Sequence, residues 1–336
     1  MNTADGEWIS SSEMRVHHEV HPGGGLCGRA RLVALSRTTE PSLMSGQMPF
    51  GYKSVPFFIL GNPRSGTTLL RLMLNNHPSV AVPMECGFAV WLHDSYKGIR
   101  TFDEALVRRF AGDVAGSRKF ETWGIDKREI EELLLKEKFM SYREMAAAIY
   151  RIYALKHGKM NAVIGDKNNF YIRHIAKIKE IFGTPKLIFM VRDGRDVACS
   201  YKELSEKRIT SLYAPVIPAT IDLMAEEWAR NNNALMKESS GSTLLITYES
   251  LVQMPHQTLE RVCAFLGVDF NASMLEYYHN NDEPEEFLQW KTKTLDALDT
   301  HGVGRYKTGL SQDELSRFET VARDALRVFG YSVNHE

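Results

Sequence analysis

The residues that first invite chemistry are cations set among glycines and hydroxyls just after apolar runs. The clearest case is Phe57-Phe58-Ile59-Leu60-Gly61-Asn62-Pro63-Arg64-Ser65-Gly66-Thr67-Thr68-Leu69-Leu70. It reads as a strand, a Gly/Ser loop and a helix start. Such a loop aims successive backbone N–H groups at one point, and the helix N-terminus adds positive potential there. An anion is therefore expected against residues 63–69, with Thr67 and Thr68 adding hydroxyl donors. The Gly61-to-Gly66 spacing matches an ATP-binding P-loop, but Thr67 stands where the P-loop lysine belongs. The cation has moved into the loop, as Arg64, where a guanidinium can span two oxygens of a transferring group. The bland alternative is a tight turn with a helix N-cap.

A second unit of the same form follows Lys186 to Val191: Arg192-Asp193-Gly194-Arg195-Asp196-Val197-Ala198-Cys199-Ser200. Arg192 at the strand end and Ser200 about two helical turns later can converge on one anion. Arg195 is either a helper there or a partner of Asp193 or Asp196. Two separated anion sites do not suit ATP. They suit a nucleotide phosphorylated at both its 3′ and 5′ positions.

The Pro63-Arg64-Ser65-Gly66-Thr67-Thr68-Leu69 segment resembles the 5′-phosphosulfate loop of sulfotransferases that use PAPS (3′-phosphoadenosine 5′-phosphosulfate). Tyrosylprotein sulfotransferases and many bacterial members carry arginine where Arg64 stands; cytosolic members usually carry lysine. The resemblance covers residues 55–331 in scattered form. It implies that Arg192 and Ser200 hold the 3′-phosphate and that Tyr248 lies against the nucleotide. It also implies that Lys167, in Gly165-Asp166-Lys167-Asn168-Asn169, sits close to the sulfuryl group, with Asp166 placed to orient it. Glu85 lies 21 residues after Arg64, past His77-Pro78-Ser79-Val80, at the offset of the catalytic glutamate in tyrosylprotein sulfotransferases. It is the expected general base, with His93 and His174 as rivals. Gly304-Arg305-Tyr306-Lys307 is similar to the late glycine/basic segment of the family, but the Arg-Lys-Gly triplet usual upstream is replaced by Asp299-Thr300-His301. Lys291, Lys293, Arg305 and Lys307 are the available substitutes.

The chemistry so implied is in-line sulfuryl transfer from PAPS to an acceptor hydroxyl, leaving adenosine 3′,5′-bisphosphate. By analogy with phosphoryl transfer, Arg64 and Lys167 neutralise charge while Glu85 takes the acceptor proton. No metal-ligand cluster is visible, and side-chain cations make a metal unnecessary. A P-loop-like kinase or NTPase, and a non-catalytic nucleotide binder on the same scaffold, are the competing readings.

The elements that must position these residues alternate. Strands are expected over 55–60, 79–82, 162–165, 186–191 and 243–248. Helices are expected over 67–76, 127–139, 142–157, 172–182, 221–239, 255–266 and 312–329, with one more running from the second loop to about Glu206. Strands separated by helices predict an α/β, P-loop-like three-layer sandwich with a parallel sheet, and ligands at the carboxyl ends of its strands. Residues 1–50, with a serine triplet and a glycine run, are expected to be an N-terminal arm. Residues 51–336 then form one sulfotransferase domain, with a helical insertion at 88–160. That insertion and a lid at 211–220 are expected to shape the acceptor site, framed by Trp91, Tyr96, Trp123 and Tyr213.

The composition narrows the rest. With 336 residues, 43% apolar and 25% charged, the chain is ordinary globular material. A formal net charge of −1 argues against a nucleic-acid partner. No run approaches the ~20 apolar residues of a membrane span, and no secretory signal is apparent. Cys27, Cys86, Cys199 and Cys263 are scattered, which suits free thiols in the cytoplasm. The acceptor is left open among small-molecule, lipid, sugar and peptide hydroxyls, and the sequence gives no oligomeric state.

Overall fold

The structure, a computed structural model, describes residues 55–333. The expected arm at 1–50 lies outside the described residues. Five strands form the sheet: β1 (Phe57–Gly61), β2 (Val80–Ala81), β3 (Val163–Lys167), β4 (Leu187–Val191) and β5 (Thr243–Thr247). Their spatial order is β2-β3-β1-β4-β5, and every pairing is parallel. Ile59 pairs with Lys167 and Gly61 with Met190, so the carboxyl ends of β3, β1 and β4 come out side by side.

The central strands are apolar throughout because both of their faces are covered. Phe58 and Leu60 of β1, with Leu187 and Phe189 of β4, pack into one core. Phe57 and Ile59, with Ile188 and Met190, pack into the other. The first core is shared with the region 88–160, whose helices Glu104–Ala115, Lys127–Leu134 and Tyr142–Lys156 start at the side-chain caps Asp103, Asp126 and Ser141. The second core is shared with helix α1 (Thr67–Asn75) and the helix Pro255–Leu266. The helices Gly194–Ser205, Ile221–Lys237 and Gln312–Val328 build a third cluster around Trp228 and Phe318.

The expected elements are present with local differences. The helix expected over 127–139 ends at Leu134. Residues 169–174 form a 3-10 turn before the helix Ile175–Phe182. Tyr248 does not close β5: it opens a short helix, Tyr248–Gln253, because the Thr247 hydroxyl accepts from Ser250 N and turns the chain. No helix among the described residues is long and apolar enough to cross a membrane.

Candidate active site

A cleft of about 520 Å³ opens at the carboxyl ends of the strands. Its lining includes Pro63, Arg64, Gly66, Thr67, Thr68 and Leu69 from the first loop, and Arg192 and Ser200 from the second. It also includes Glu85, Lys167 and Tyr248, so the structure brings together every expected site residue except Ser65. Ser65 is fully buried; its backbone N–H donates to Asn62 O at 3.1 Å, and its hydroxyl finds no partner.

The first loop depends on two left-handed residues, Arg64 (φ 72°) and Gly66 (φ 89°). At Gly66 a Cβ would sit 2.7 Å from the Tyr248 ring, so glycine answers both the backbone angle and the close approach. Arg64 Nε donates to Ser200 Oγ at 3.0 Å and Nη1 to Trp290 O at 3.0 Å. Arg192 Nη1 donates to Arg64 O at 3.0 Å and Nη2 to Gly302 O at 2.6 Å, while its guanidinium lies 4.2 Å from the Tyr248 ring centroid. The two loops are thus one unit, joined by the Arg192-to-Arg64 carbonyl bond and the Arg64-to-Ser200 bond.

These hydrogen bonds all go to neutral oxygens, and Arg192 Nε is buried without a partner. Two guanidinium groups with no carboxylate in hydrogen-bond contact among the described residues are costly to desolvate. Burial and the neighbouring Arg192 lower the Arg64 pKa to about 10. Lys293, exposed at the cleft rim, also lines it, and its pKa is lowered by desolvation and then by Arg192 and Arg64. Arg64 and Arg192, bonded only to neutral oxygens, fit a ligand with separated anionic groups; Lys293 beside them is loosely paired with Glu203 at 4.0 Å. Gly302 fits it too: a Cβ there would meet Tyr248 Oη at 2.5 Å and Arg192 Nη2 at 3.1 Å, closing the space beside the second loop.

On the other side of the cleft the cations are balanced. Lys167, at the end of β3 and almost fully buried, donates to Glu85 Oε1. Lys119 donates to Glu85 Oε2 at 2.9 Å. Burial alone would push the Glu85 carboxyl up, but Lys167, Lys119 and Lys291 outweigh it and hold the group well below the usual range. Burial lowers the Lys167 pKa to about 8, against the pull of Glu85.

Several expectations need correction. Asp166 does not orient Lys167. Successive strand residues point to opposite faces, and its carboxylate accepts from Tyr150 Oη at 2.5 Å on the far side of β3. Of the alternatives for Arg195, pairing with Asp193 is the one found: it grips Asp193 through Nε and Nη2 (3.0 and 2.7 Å), and its Nη1 donates to Glu319 at 2.6 Å, so it takes no part in the cleft. Asp196 instead accepts the backbone N–H groups of Gly304 and Tyr306, fastening the late segment to the second loop. Tyr96 and Trp123 are core residues, bonded to Asp113 and to Met84 O; only Trp91 and Tyr213 of the four aromatics line the cleft. His93 packs on Tyr142 and His174 on Phe170, and neither lines the cleft. Of the late cations, Lys291 and Lys293 line it, Lys291 being paired with Glu283 at 2.5 Å. Arg305 is bonded to Glu203, and Lys307 lies outside the lining.

Three contributors escaped the sequence reading: Lys119, Trp290 through its carbonyl, and Gly302. None belongs to a motif, and each reaches the cleft across a long chain separation. The only local hint was the glycine in Thr300-His301-Gly302-Val303-Gly304.

Comparisons with known proteins show what the chain and its fold are similar to. The family model described as "Sulfotransferase family" matches residues 56–272. The chain is 26% identical over 283 residues to protein-tyrosine sulfotransferase 1 of Danio rerio, covering 80% of this chain and 68% of that protein. It is 26% identical over 233 residues to protein-tyrosine sulfotransferase 2 of Gallus gallus, covering 67% of this chain and 54% of that protein. Among solved structures, the sulfotransferase domain from the curacin biosynthetic pathway superposes with a TM-score of 0.57 at 20% identity, covering 83% of this chain and 99% of that one. The chain belongs to the sulfotransferase family.

Proposed function

We propose that the protein transfers the sulfuryl group of PAPS to a hydroxyl of its acceptor. The observation that carries the donor assignment is the pair of loops tied by the Arg192-to-Arg64 bond, with both guanidinium groups facing only neutral oxygens. A nucleotide with phosphates at both ends of its ribose supplies the missing negative charge at two places. In this reading Arg192, Ser200 and Tyr248 hold the 3′-phosphate side, assisted by Lys293. Residues 63–69 hold the 5′-phosphosulfate.

The acceptor oxygen attacks sulfur as the bond from sulfur to the 5′-phosphate oxygen breaks. Arg64 and Lys167 offset the charge that develops on the sulfuryl oxygens and the leaving phosphate. The acceptor proton passes to Glu85, a contribution of roughly 10²–10⁴-fold. The products are the sulfated acceptor, a protonated Glu85 and adenosine 3′,5′-bisphosphate.

The acceptor side of the cleft is lined by Trp91, Phe170, Tyr213, Pro215 and Val216. That wall, and the similarity to proteins named as protein-tyrosine sulfotransferases, favour a phenolic hydroxyl, including one carried on a peptide. Titration calorimetry with adenosine 3′,5′-bisphosphate, beside ATP–Mg²⁺, tests the donor. Binding of the bisphosphate and not of ATP is expected, and no binding at millimolar bisphosphate would overturn the reading. A mass-spectrometric screen of PAPS against phenols, sugars, lipid alcohols and tyrosine peptides tests the acceptor. Sulfation confined to sugars or aliphatic alcohols would overturn the phenolic assignment.

A further inference from the structure

Among the described residues, two that are not glycine take a left-handed backbone: Arg64 (φ 72°) and Lys119 (φ 70°). Side chains rarely adopt such angles, and they persist where the surroundings over-determine them, often at functional sites. Both of these line the same cleft. Arg64 already has a part in the proposed chemistry; Lys119 has none.

Lys119 is held from several directions. It enters the 3-10 turn Phe120–Trp123, and its ammonium donates to Glu85 Oε2 at 2.9 Å. The same ammonium lies 5.2 Å from the Phe287 ring centroid and 5.7 Å from that of Tyr213. Tyr213 is itself fixed, donating its hydroxyl to Glu121 at 2.5 Å and standing edge-on to Phe287. The left-handed turn thus delivers one ammonium, between two aromatic faces, to one oxygen of Glu85.

We propose that Lys119 is a positioning residue that holds the Glu85 carboxylate in place and ionised while the acceptor proton is transferred. The proposal rests on the reading of Glu85 as the base. Both Glu85 oxygens are engaged by ammonium groups, Oε1 by Lys167 and Oε2 by Lys119. A carboxylate so engaged has to release one contact before it accepts a proton. Lys167 is the contact that yields, because sulfuryl and phosphate oxygens compete for its ammonium when the donor is bound. Lys119 belongs to the helical insertion and not to either anion loop, so its bond survives.

The charged groups around Glu85 are Lys167 from β3, Lys119 from the insertion and Lys291 from the helix Glu285–Lys291, the last neutralised by Glu283. Asp166 bears on it from the opposite face of β3. With Lys119 removed and Lys167 drawn to the donor, only a neutralised lysine remains beside a half-buried carboxylate. Its proton affinity must then rise.

The test compares Lys119→Met, Lys119→Arg, Lys119→Gly and Glu85→Gln in the full chain. Turnover is read as adenosine 3′,5′-bisphosphate released from PAPS with a tyrosine peptide present. The Glu85 carboxyl is titrated by carbon NMR with the bisphosphate bound, its signal assigned by its loss in Glu85→Gln. Lys119→Met is expected to lower kcat by about 10-fold or more with donor KM within about twofold. It should raise the Glu85 titration midpoint by at least about half a pH unit. Lys119→Arg should restore most of both. Lys119→Gly should lose the same activity without a lower melting temperature, since glycine accepts the backbone angle freely. An unmoved Glu85 midpoint in Lys119→Met, or Lys119→Arg as poor as Lys119→Met, overturns the proposal. Full turnover in Glu85→Gln overturns the base assignment instead.

Discussion

Four buried or half-buried arginines divide into two kinds. Arg71, on α1, meets Asp282 through both terminal nitrogens (3.1 and 2.5 Å) and Glu283 at 2.9 Å. Arg195 meets Asp193 and Glu319. Burial lowers the proton affinity of each, but the carboxylates more than offset it, and both pKa values rise above the ordinary guanidinium range. Arg64 and Arg192 meet only hydroxyl and carbonyl oxygens, and the Arg64 pKa falls. A neutralised guanidinium clamps distant parts of the chain, as Arg71 ties α1 to residues 282–283. An unneutralised one keeps its attraction for something the chain does not supply. The same side chain therefore serves stability in one place and ligand binding in the other.

Breaking a neutralised clamp should give the largest effect. Arg71→Met leaves half-buried Asp282 with only Asn75 and Tyr153, and buried Glu283 with only Lys291; it should cost about 3 kcal/mol, the low end for breaking a buried pair, read as a lower urea midpoint. A loss below about 1 kcal/mol would mean that water reaches the two carboxylates and that the distinction is weaker than the contacts suggest. Arg64→Ala should do the reverse. It removes a guanidinium that no carboxylate balances, so the urea midpoint should hold or rise. Single-turnover sulfuryl transfer should fall by about 10²–10³-fold, or about 2.7–4 kcal/mol, with bisphosphate affinity less affected. Equal losses of affinity and rate would move Arg64 from the transferring group to the nucleotide. The charge missing from the two loops can also be supplied from outside. Adenosine 3′,5′-bisphosphate at a hundred times its Kd should add about 2.7 kcal/mol of stability. Arg192→Ala should abolish most of that gain at the same ligand concentration, as measured by thermal shift.

The unneutralised kind was legible in the sequence and the neutralised kind was not. Arg64 and Arg192 each follow an apolar strand within a few residues of glycine and a hydroxyl, so local pattern and the parallel-sheet rule suffice to find them. Arg71 looks like an ordinary helix residue between Leu70 and Leu72, and its partners come more than two hundred residues later. Arg195 was ambiguous because its second partner, Glu319, also lies far along the chain, 124 residues later. The same limit explains Lys119, whose importance exists only once the turn at 117–123 packs beside Glu85. It also explains the error at Asp166, where adjacency in sequence suggested a contact that strand alternation forbids.

The contrast extends to carboxylates, where it gives the smallest of these effects. Asp282 is half-buried, yet Arg71 outweighs its desolvation and the carboxyl stays below the usual range. Asp166 is fully buried against tyrosine hydroxyls, with no ion-pair partner among the described residues, and burial lifts its pKa to about 7. In the unfolded chain the same group titrates near 4. A raised folded pKa means that the native state binds this proton more tightly. The stability from Asp166 is therefore full below about pH 4 and drains away as pH rises toward 7. Relaxation and water entry reduce the cost of the buried charge, so the drop should be of order 1–2 kcal/mol. Asp166→Asn keeps an acceptor for Tyr150 and cannot ionise. The difference in unfolding free energy between the two proteins, followed from pH 4 to 8, should shift in favour of the asparagine variant as pH rises. A constant difference across that range would mean that Asp166 is already ionised in the native protein at low pH, and that a cation reaches it from the Lys167 side of β3.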